Sequence, residues 1–153
     1  MKRILLILLL PLILLGQENN YSLNFASTGD YVKLNNSVEV DDGYAISLWV
    51  EFPLPTTTCN EDNAHNVFAG CANQNIHFFS VNSNNILCVY SDATGWNCGD
   101  FNTQELDGWH QLGVISNGSN LTKFFVDNEV VDSVSFAVTG TFDLIGNYNT
   151  NYH

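Results

Sequence analysis

The sequence predicts an all-β fold, an antiparallel β-sandwich, and three observations support it. Apolar residues alternate with polar ones at a spacing of two, the period of a strand with one buried face. Short clusters of Asn, Asp and Gly separate these runs, as they do in antiparallel hairpins. After residue 16, no stretch has the pattern of a long amphipathic helix.

Residues 108–136 show this pattern most clearly, because they predict three strands joined by two short turns. The turns are Asn117-Gly118 and Asp127-Asn128, residue pairs that tolerate the positive φ angles of a primed hairpin turn. The third strand runs over residues 130–136. Three consecutive strands with many aromatic residues form an antiparallel meander, which is typical of β-sandwiches.

The longest predicted strand covers residues 44–52. Pro53 and Pro55 end it, because proline cannot donate to a sheet ladder. Its alternation places Tyr44, Ile46, Leu48, Val50 and Phe52 on one face, and Ala45, Ser47, Trp49 and Glu51 on the other. Residues 35–37 and 99–107 are predicted loops. Shorter strands are predicted at 21–25, 31–34, 67–70, 76–81, 86–91, 95–98 and 141–146.

The amino terminus has the features of a secretory signal peptide. Lys2 and Arg3 precede an almost unbroken apolar run at residues 4–15, and Gly16 provides a small residue for cleavage. This run is shorter than the roughly 20 residues that a membrane-spanning helix needs. We therefore expect residues 1–16 to be removed and residues 17–153 to form one secreted or cell-surface domain without a membrane span.

The charge of the chain argues against two classes of partner. The formal net charge is −12 at pH 7, and it becomes −14 when Lys2 and Arg3 leave with the signal peptide. Nucleic acids and anionic membranes bind proteins largely through Lys and Arg. We therefore expect no nucleic-acid partner, and the simplest role of the charge is solubility.

The four cysteines predict two disulfides, since an exported chain with an even number of cysteines usually pairs them. A hairpin over residues 86–98 would place Cys88 beside Cys98. Cys59 with Cys71 would close a polar loop and contribute on the order of 3 kcal/mol. Four cysteines allow three pairings, and the favoured one joins Cys59 to Cys71 and Cys88 to Cys98. A four-thiolate metal site fits poorly, because no CxxC pair is present.

Four segments in order resemble laminin-G-like modules of the concanavalin A-like lectin/glucanase superfamily, to which pentraxins also belong. They are YSLNFASTGDYVKL, YAISLWVEF, GWHQLGVISNGSNLTKFFVDNEVV and LIGNY, and they cover residues 20–148. The resemblance implies a jelly roll of two curved antiparallel sheets with function on its rim loops. Members of the family continue past the segment LIGNY to a final strand. The resemblance therefore implies either that the sequence is a fragment, truncated before this strand, or that residues 21–25 form an exposed edge.

The resemblance also implies where a calcium ion would bind, at two rim loops. The corresponding residues are amides where calcium-binding relatives carry mostly carboxylates, so the predicted site offers little charge. Calcium is therefore only a candidate cofactor. The ligands would be Asn73, Gln74, Asn147 and Asn149. Asp30 and Asp143 could support a different metal site, but the favoured role for both is that of turn residues that bond to their own backbone.

We expect no enzymatic activity. Glucanases of this superfamily use paired carboxylates in a Glu-x-Asp-x-x-Glu motif. Glu39-Val40-Asp41 and Glu105-Leu106-Asp107 begin such a motif, but Tyr44 and His110 occupy the position of the second glutamate. His110 falls at a structural position of the family. His65, His77 and His153 have no partnered Ser or Cys that would form a nucleophilic set.

Aromatic and amide side chains near predicted loops indicate carbohydrate recognition, since aromatic rings stack on sugar faces and amides bond hydroxyls. The candidates are Tyr90, Trp96 and Asn97, with Tyr148 between two asparagines. Trp49 and Trp109 are expected to pack in the core. The sequence thus predicts a secreted, non-catalytic module that binds a glycan or an extracellular protein. A structural spacer or adhesion module of a larger surface protein is the alternative, and a glycoside hydrolase-like jelly roll is a more distant one.

Overall fold

The computed structural model describes residue 23 and residues 31–54, 66–71 and 76–146. This part of the chain contains ten strands and one short 3-10 helix, Thr103–Glu105. The strands are β1 Tyr31–Glu39, β2 Tyr44–Phe52, β3 Asn66–Cys71, β4 Ile76–Val81, β5 Ile86–Ser91, β6 Gly95–Asn102, β7 Gly108–Ser116, β8 Thr122–Val126, β9 Glu129–Val134 and β10 Thr141–Gly146.

The strands form two antiparallel sheets, and the predicted all-β sandwich is confirmed. The six-stranded sheet has the order β1-β10-β3-β4-β5-β6, and the four-stranded sheet has the order β2-β7-β8-β9. The jelly-roll topology and the missing last strand stay predictions. The predicted signal peptide and the predicted strand at 21–25 lie outside the described ranges, apart from the single residue Leu23.

The inner faces of the two sheets meet in an aromatic core. The ring of Phe79 in β4 stacks on that of Phe124 in β8, with centroids 6.2 Å apart. Phe78, which precedes Phe79 in β4, contacts the ring of Tyr44 in β2, with centroids 5.2 Å apart. Adjacent residues of a regular strand point to opposite faces, and a register shift between His77 and Ser80 allows both phenylalanines to reach the other sheet. The three phenylalanine side chains are completely buried, and each contributes about 1.5–3 kcal/mol.

Tyr44 joins the sheets by a polar contact as well. Its hydroxyl donates to the carbonyl oxygen of Phe78 at 3.2 Å. Burial raises the pKa of Tyr44 well above its ordinary range, so the phenol stays protonated and remains a donor. The buried hydroxyl is therefore paired rather than a cost to the core.

Two predicted connections differ from the structure. The two-residue turn predicted at Asn117-Gly118 is wrong, because five residues connect β7 to β8. The side-chain oxygen of Asn117 accepts from the backbone N–H groups of Ser119, Asn120 and Leu121, each at 3.0 Å, and so organises a longer loop. The turn predicted at Asp127-Asn128 is confirmed, with φ angles of 50° and 69°.

Two predicted loops are also partly strand. The loop predicted at residues 35–37 is instead an irregular part of β1, whose register with β10 shifts between Lys33 and Val38. Residues 99–102 extend β6 beyond the predicted end at residue 98. In both places Asn or Gly residues indicated a loop, but paired residues on either side keep these irregular segments within their strands: Lys33 and Val38 in β1, and Cys98 and Asn102 in β6.

One predicted disulfide is confirmed. Cys88 and Cys98 lie directly opposite each other in β5 and β6, with their Cα atoms 4.1 Å apart, and they form a disulfide. Cys71 is buried and forms no disulfide with another described residue. Its predicted partner Cys59 lies outside the described ranges, so the second disulfide stays a prediction.

Asp132 links the edges of the two sheets on one side of the sandwich. The carboxylate belongs to β9, and its Oδ2 atom accepts from the backbone N–H groups of Asp100 and Phe101 in β6, the latter at 2.8 Å. Gly99 makes room for this contact, because a Cβ atom there would overlap the carboxylate. The bond therefore depends on a carboxylate in one sheet and a glycine in the other.

We predict that Asp132→Ala lowers the free energy of unfolding by about 1–3 kcal/mol, because two backbone donors lose a charged acceptor. Urea denaturation followed by circular dichroism measures the change. Glu129→Ala removes an exposed carboxylate from the same strand and is the control, with an expected change within about 0.5 kcal/mol. Equal losses in the two variants would contradict a linking role for Asp132.

Candidate functional site

The structure brings together two of the predicted ligand-binding residues. Tyr90 and Trp96 are cross-strand neighbours in β5 and β6, with ring centroids 4.8 Å apart. His77 of β4 lies beside both rings, at 5.1 Å and 5.5 Å. His77 is buried and the other two side chains are half-buried, so the cluster presents little open ring surface.

Asn97 does not join this cluster. It follows Trp96 in the same strand, so its side chain points to the opposite face. Its amide donates to the carbonyl oxygen of Gly95 at 3.2 Å and lies 3.4 Å from the hydroxyl of Thr94. Asn97 therefore supports the turn between β5 and β6. Tyr148, the fourth predicted residue, lies outside the described ranges.

The calcium prediction falls outside the described residues. Asn73, Gln74, Asn147 and Asn149 all lie there, as does Asp30, so calcium stays a prediction. Within the described ranges, no group of three His, Cys, Asp or Glu side chains could hold a metal ion. The prediction that Asp143 is a turn residue is wrong, because Asp143 is buried within β10, 4.0 Å from the Lys33 ammonium group.

The two incomplete carboxylate motifs occupy structural positions. Asp41 lies in the turn before β2, and its side chain accepts from the backbone N–H of Gly140 at 3.1 Å. Glu105 ends the 3-10 helix, and Asp107 precedes β7. Glu39 ends β1 and pairs with Thr141 of β10, so only part of its motif lies in the predicted turn. The described geometry therefore places these carboxylates at element ends and in turns, and the expected absence of enzymatic activity stays a prediction.

His110 is held by two acceptors. Its Nδ1 atom lies 2.8 Å from Asp127 Oδ2, and its Nε2 atom lies 3.2 Å from the carbonyl oxygen of Asp107. The hydrogen bond to Asp127 raises the pKa of His110, and the same bond lowers the pKa of Asp127. Because both ring nitrogens face acceptors, the doubly protonated imidazolium satisfies them best. His110 thus ties the β8–β9 turn to β7.

We predict that this ion pair makes stability depend on pH. The raised pKa of His110 contributes stability that is complete below roughly pH 6.5 and is lost as the pH rises through the folded-state pKa. The lowered pKa of Asp127 contributes stability above roughly pH 4 that is lost on further acidification. The melting temperature of the wild type should therefore exceed that of His110→Gln most between these values, and a difference that grows above pH 8 would contradict this assignment.

Trp49 and Trp109 are not in the core, so that prediction is wrong. Their exposed fractions are 63% and 50%. Alternation in β2 places Trp49 on the face opposite the buried Val50, and Trp109 lies opposite the exposed Glu51. The outward direction of Trp49 was already present in the alternation of residues 44–52. The size and hydrophobicity of tryptophan had favoured the core, but the strand period determines the face.

Both tryptophans belong to the outer face of the four-stranded sheet, hereafter the outer face. Strand register orders it in rows: Trp49 lies beside Gln111, and Ser47 lies beside Gly113 and then Phe125. Trp49 and Trp109 are diagonal neighbours, a relation with a spacing of about 7–8 Å. The members are Ala45, Ser47, Trp49, Glu51, Trp109, Gln111, Gly113, Ile115, Lys123, Phe125 and Val130.

A groove of about 300 Å³ runs through the outer face next to the tryptophans. Gly113 lines the groove without a side chain, and a Cβ atom there would come into ordinary contact with the Cβ of Phe125 at 3.4 Å. The amide of Gln111 donates to the hydroxyl of Ser47 at 3.0 Å and forms a polar border. The lining includes Ala45, Ser47, Gln111, Gly113, Ile115 and Phe125, with Asn128 from the β8–β9 turn.

The outer face is weakly charged for so acidic a chain. Glu51 and Lys123 are its two ionisable members and lie at opposite ends of the rows. Between them are aromatic rings, amides and a hydroxyl. A concave apolar surface with a few polar groups is the usual form of a small-ligand site.

The chain was compared with protein-family models and with curated proteins. No protein-family model matches the chain, and no curated protein matches it. Within the described residues, no helix has the length and apolar character needed to cross a membrane. The laminin-G-like resemblance therefore stays a prediction, and the outer face is the candidate site that the geometry favours.

Proposed function

We propose that the protein is a secreted, non-catalytic recognition module that binds a neutral carbohydrate on the outer face of its four-stranded sheet. The observation that carries this proposal is the pair of neighbouring exposed tryptophans, Trp49 and Trp109. Tryptophan is largely buried in most folded proteins, and neighbouring exposed apolar side chains usually mark a binding surface.

The chemistry of the outer face suits a sugar chain. A pyranose ring has an apolar face of C–H groups, which stacks on an indole, and a rim of hydroxyls. The amide of Gln111 and the hydroxyl of Ser47 lie in the rows beside the tryptophans and supply donors and acceptors for that rim. The backbone of the paired strands holds these groups in fixed rows, so little order has to be gained on binding.

The charge of the protein favours a neutral ligand. The chain has 16 acidic residues and 4 basic ones, so its field repels sulfated or carboxylated polysaccharides. Lys123 is the one basic member of the outer face and lies in the row of Ile115, away from the tryptophans. An uncharged glycan avoids this repulsion.

The resemblance to laminin-G-like modules supports recognition as the class of function, although it implies rim loops as the site. The half-buried Tyr90–Trp96 pair offers less open ring surface than Trp49 and Trp109 do. We therefore assign recognition to the outer face.

Binding of an extracellular protein is the second candidate function. Ile115 and Val130 are also exposed on the outer face, at 48% and 55%. They extend its apolar surface beyond the tryptophans, and interface cores are enriched in aromatic and apolar residues. A spacer module needs no such surface, so it ranks third.

We predict that Trp49→Ala and Trp109→Ala each weaken binding to a neutral polysaccharide by about tenfold or more, or roughly 1.4 kcal/mol. Affinity electrophoresis against a panel of neutral glucans, mannans, xylans and chitin fragments identifies the ligand, and calorimetry measures the loss. Both side chains are exposed, so the melting temperature should change little.

Trp96→Ala is the matched tryptophan control and should retain binding. Loss in Trp96→Ala with retention in Trp49→Ala would move the site to the Tyr90–Trp96 pair. Failure of the folded wild type to bind any neutral glycan would overturn the proposal and favour a protein partner.

We also predict that glycan binding survives removal of calcium, because the outer face has no cluster of carboxylates. The dissociation constant should agree within twofold in the presence of 2 mM Ca²⁺ and of excess EDTA, a range set by measurement error of about 0.4 kcal/mol. Binding that disappears with EDTA would instead support the calcium site predicted at Asn73, Gln74, Asn147 and Asn149.

A further inference from the structure

We infer that the groove beside the tryptophans is a subsite for an N-acetyl group, so that the ligand is a neutral chain of N-acetylated amino sugars. This inference rests on the proposed function, because the sugar ring that carries the acetyl group must lie on the tryptophans. It adds the class of sugar and a residue that selects it.

The position of the groove relative to the tryptophans supports this inference. Ser47 and Trp49 point to the same side of β2 and are two residues apart, which corresponds to about 7 Å along the strand. The row of Ser47 and Gly113 is the middle of the groove. A sugar ring on Trp49 therefore places a short substituent at the groove entrance, while the rest of the chain continues over Trp109.

The lining of the groove matches the two parts of an acetamido group. Ile115 and Phe125 provide apolar walls for a methyl group. Ser47, Gln111 and Asn128 provide hydroxyl and amide groups for the carbonyl oxygen and the N–H. A hydroxyl in place of the acetamido group would leave the apolar walls unfilled and would lose one of the two polar contacts.

The absence of charged side chains from the described groove lining argues against charged substituents in place of the N-acetyl group. The described lining contains no Lys or Arg that would bind a carboxylated or sulfated substituent. It also contains no carboxylate that would bind the ammonium group of a deacetylated sugar. An uncharged acyl substituent fits a lining that contains neither a basic side chain nor a carboxylate.

Gly113 is the residue that we expect to determine specificity. Its added Cβ would lie 3.4 Å from the Cβ of Phe125 and 3.7 Å from the carbonyl oxygen of Ile46, which are ordinary contact distances. The backbone of β7 therefore accepts alanine at this position. The new methyl group would occupy the space that the acetyl methyl needs.

The test compares two ligands that differ only in this substituent. They are β-1,4-linked tetramers of N-acetylglucosamine and of glucose, titrated calorimetrically into the wild type and its variants. We expect the wild type to bind the acetylated tetramer at least tenfold more tightly. Gly113→Ala should reduce this preference to less than threefold while retaining the weaker binding that the tryptophans provide.

Two further variants keep the test decisive. Ile115→Ala removes an exposed wall of the groove and should also reduce the preference, so a folding defect in Gly113→Ala would not prevent a result. Lys123→Ala changes the same row without changing the lining and should keep the full preference. Trp109→Ala should weaken binding of both tetramers by a similar factor.

The outcomes separate this inference from the proposed function. Equal affinity of the wild type for both tetramers overturns the acetyl subsite but leaves neutral-glycan recognition in place. A preference that survives both Gly113→Ala and Ile115→Ala also overturns the subsite. Binding of neither tetramer, together with binding of another neutral glycan, again rejects only the subsite. Binding of no neutral glycan rejects the proposed function as well.

Discussion

The unbroken register of β2 with β7 is the constraint on which the sandwich and its candidate site both depend. Nine residue pairs connect Tyr44–Phe52 to Gly108–Ser116 without a bulge. Because strand side chains alternate, this ladder assigns each of its side chains to one side of the sheet. Leu112 and Val114 are thereby directed into the core, and Trp49 and Trp109 are directed outward. A shift of the strand register by one residue would exchange these two sets of side chains. The same register therefore determines both the burial of the core residues and the exposure of the tryptophans.

Local sequence patterns were sufficient to predict most of the strands. The alternation in residues 44–52 and the punctuation by Asn, Gly and Pro are physical preferences of the chain itself, and they anticipated β2, β4, β5 and β10 closely. The predictions failed for two different reasons. The side chain of Asn117 bonds to backbone groups two to four residues ahead, and this local loop chemistry was not anticipated from the Asn-Gly pair. Residues 35–37 stay within β1 because the residues on either side of them pair with β10, and that distant contact does not appear in a window of neighbouring residues.

The candidate site was less predictable than the fold. The Tyr90–Trp96 pair followed from one hairpin, since both residues lie close together in sequence. The groove depends on Gly113 standing beside Phe125 and Ser47, and these neighbours are known only when the register of three strands is known. Trp49 shows a different difficulty. The alternation of residues 44–52 predicted that Trp49 points outward, whereas its hydrophobicity predicted that it is buried. Such a conflict is expected at a binding surface, because a binding surface exposes apolar side chains to water.

The bond between Asp132 and β6 has a consequence for how molecules of this protein can associate. An edge strand with open N–H groups is a template for pairing with another chain. In β6 two of these donors, on Asp100 and Phe101, are occupied by a side chain of the same molecule. A second molecule that approached this edge would have to displace a carboxylate and leave it without its donors. The carboxylate of Asp132 therefore opposes the addition of a further strand to β6, in addition to its role in joining the two sheets.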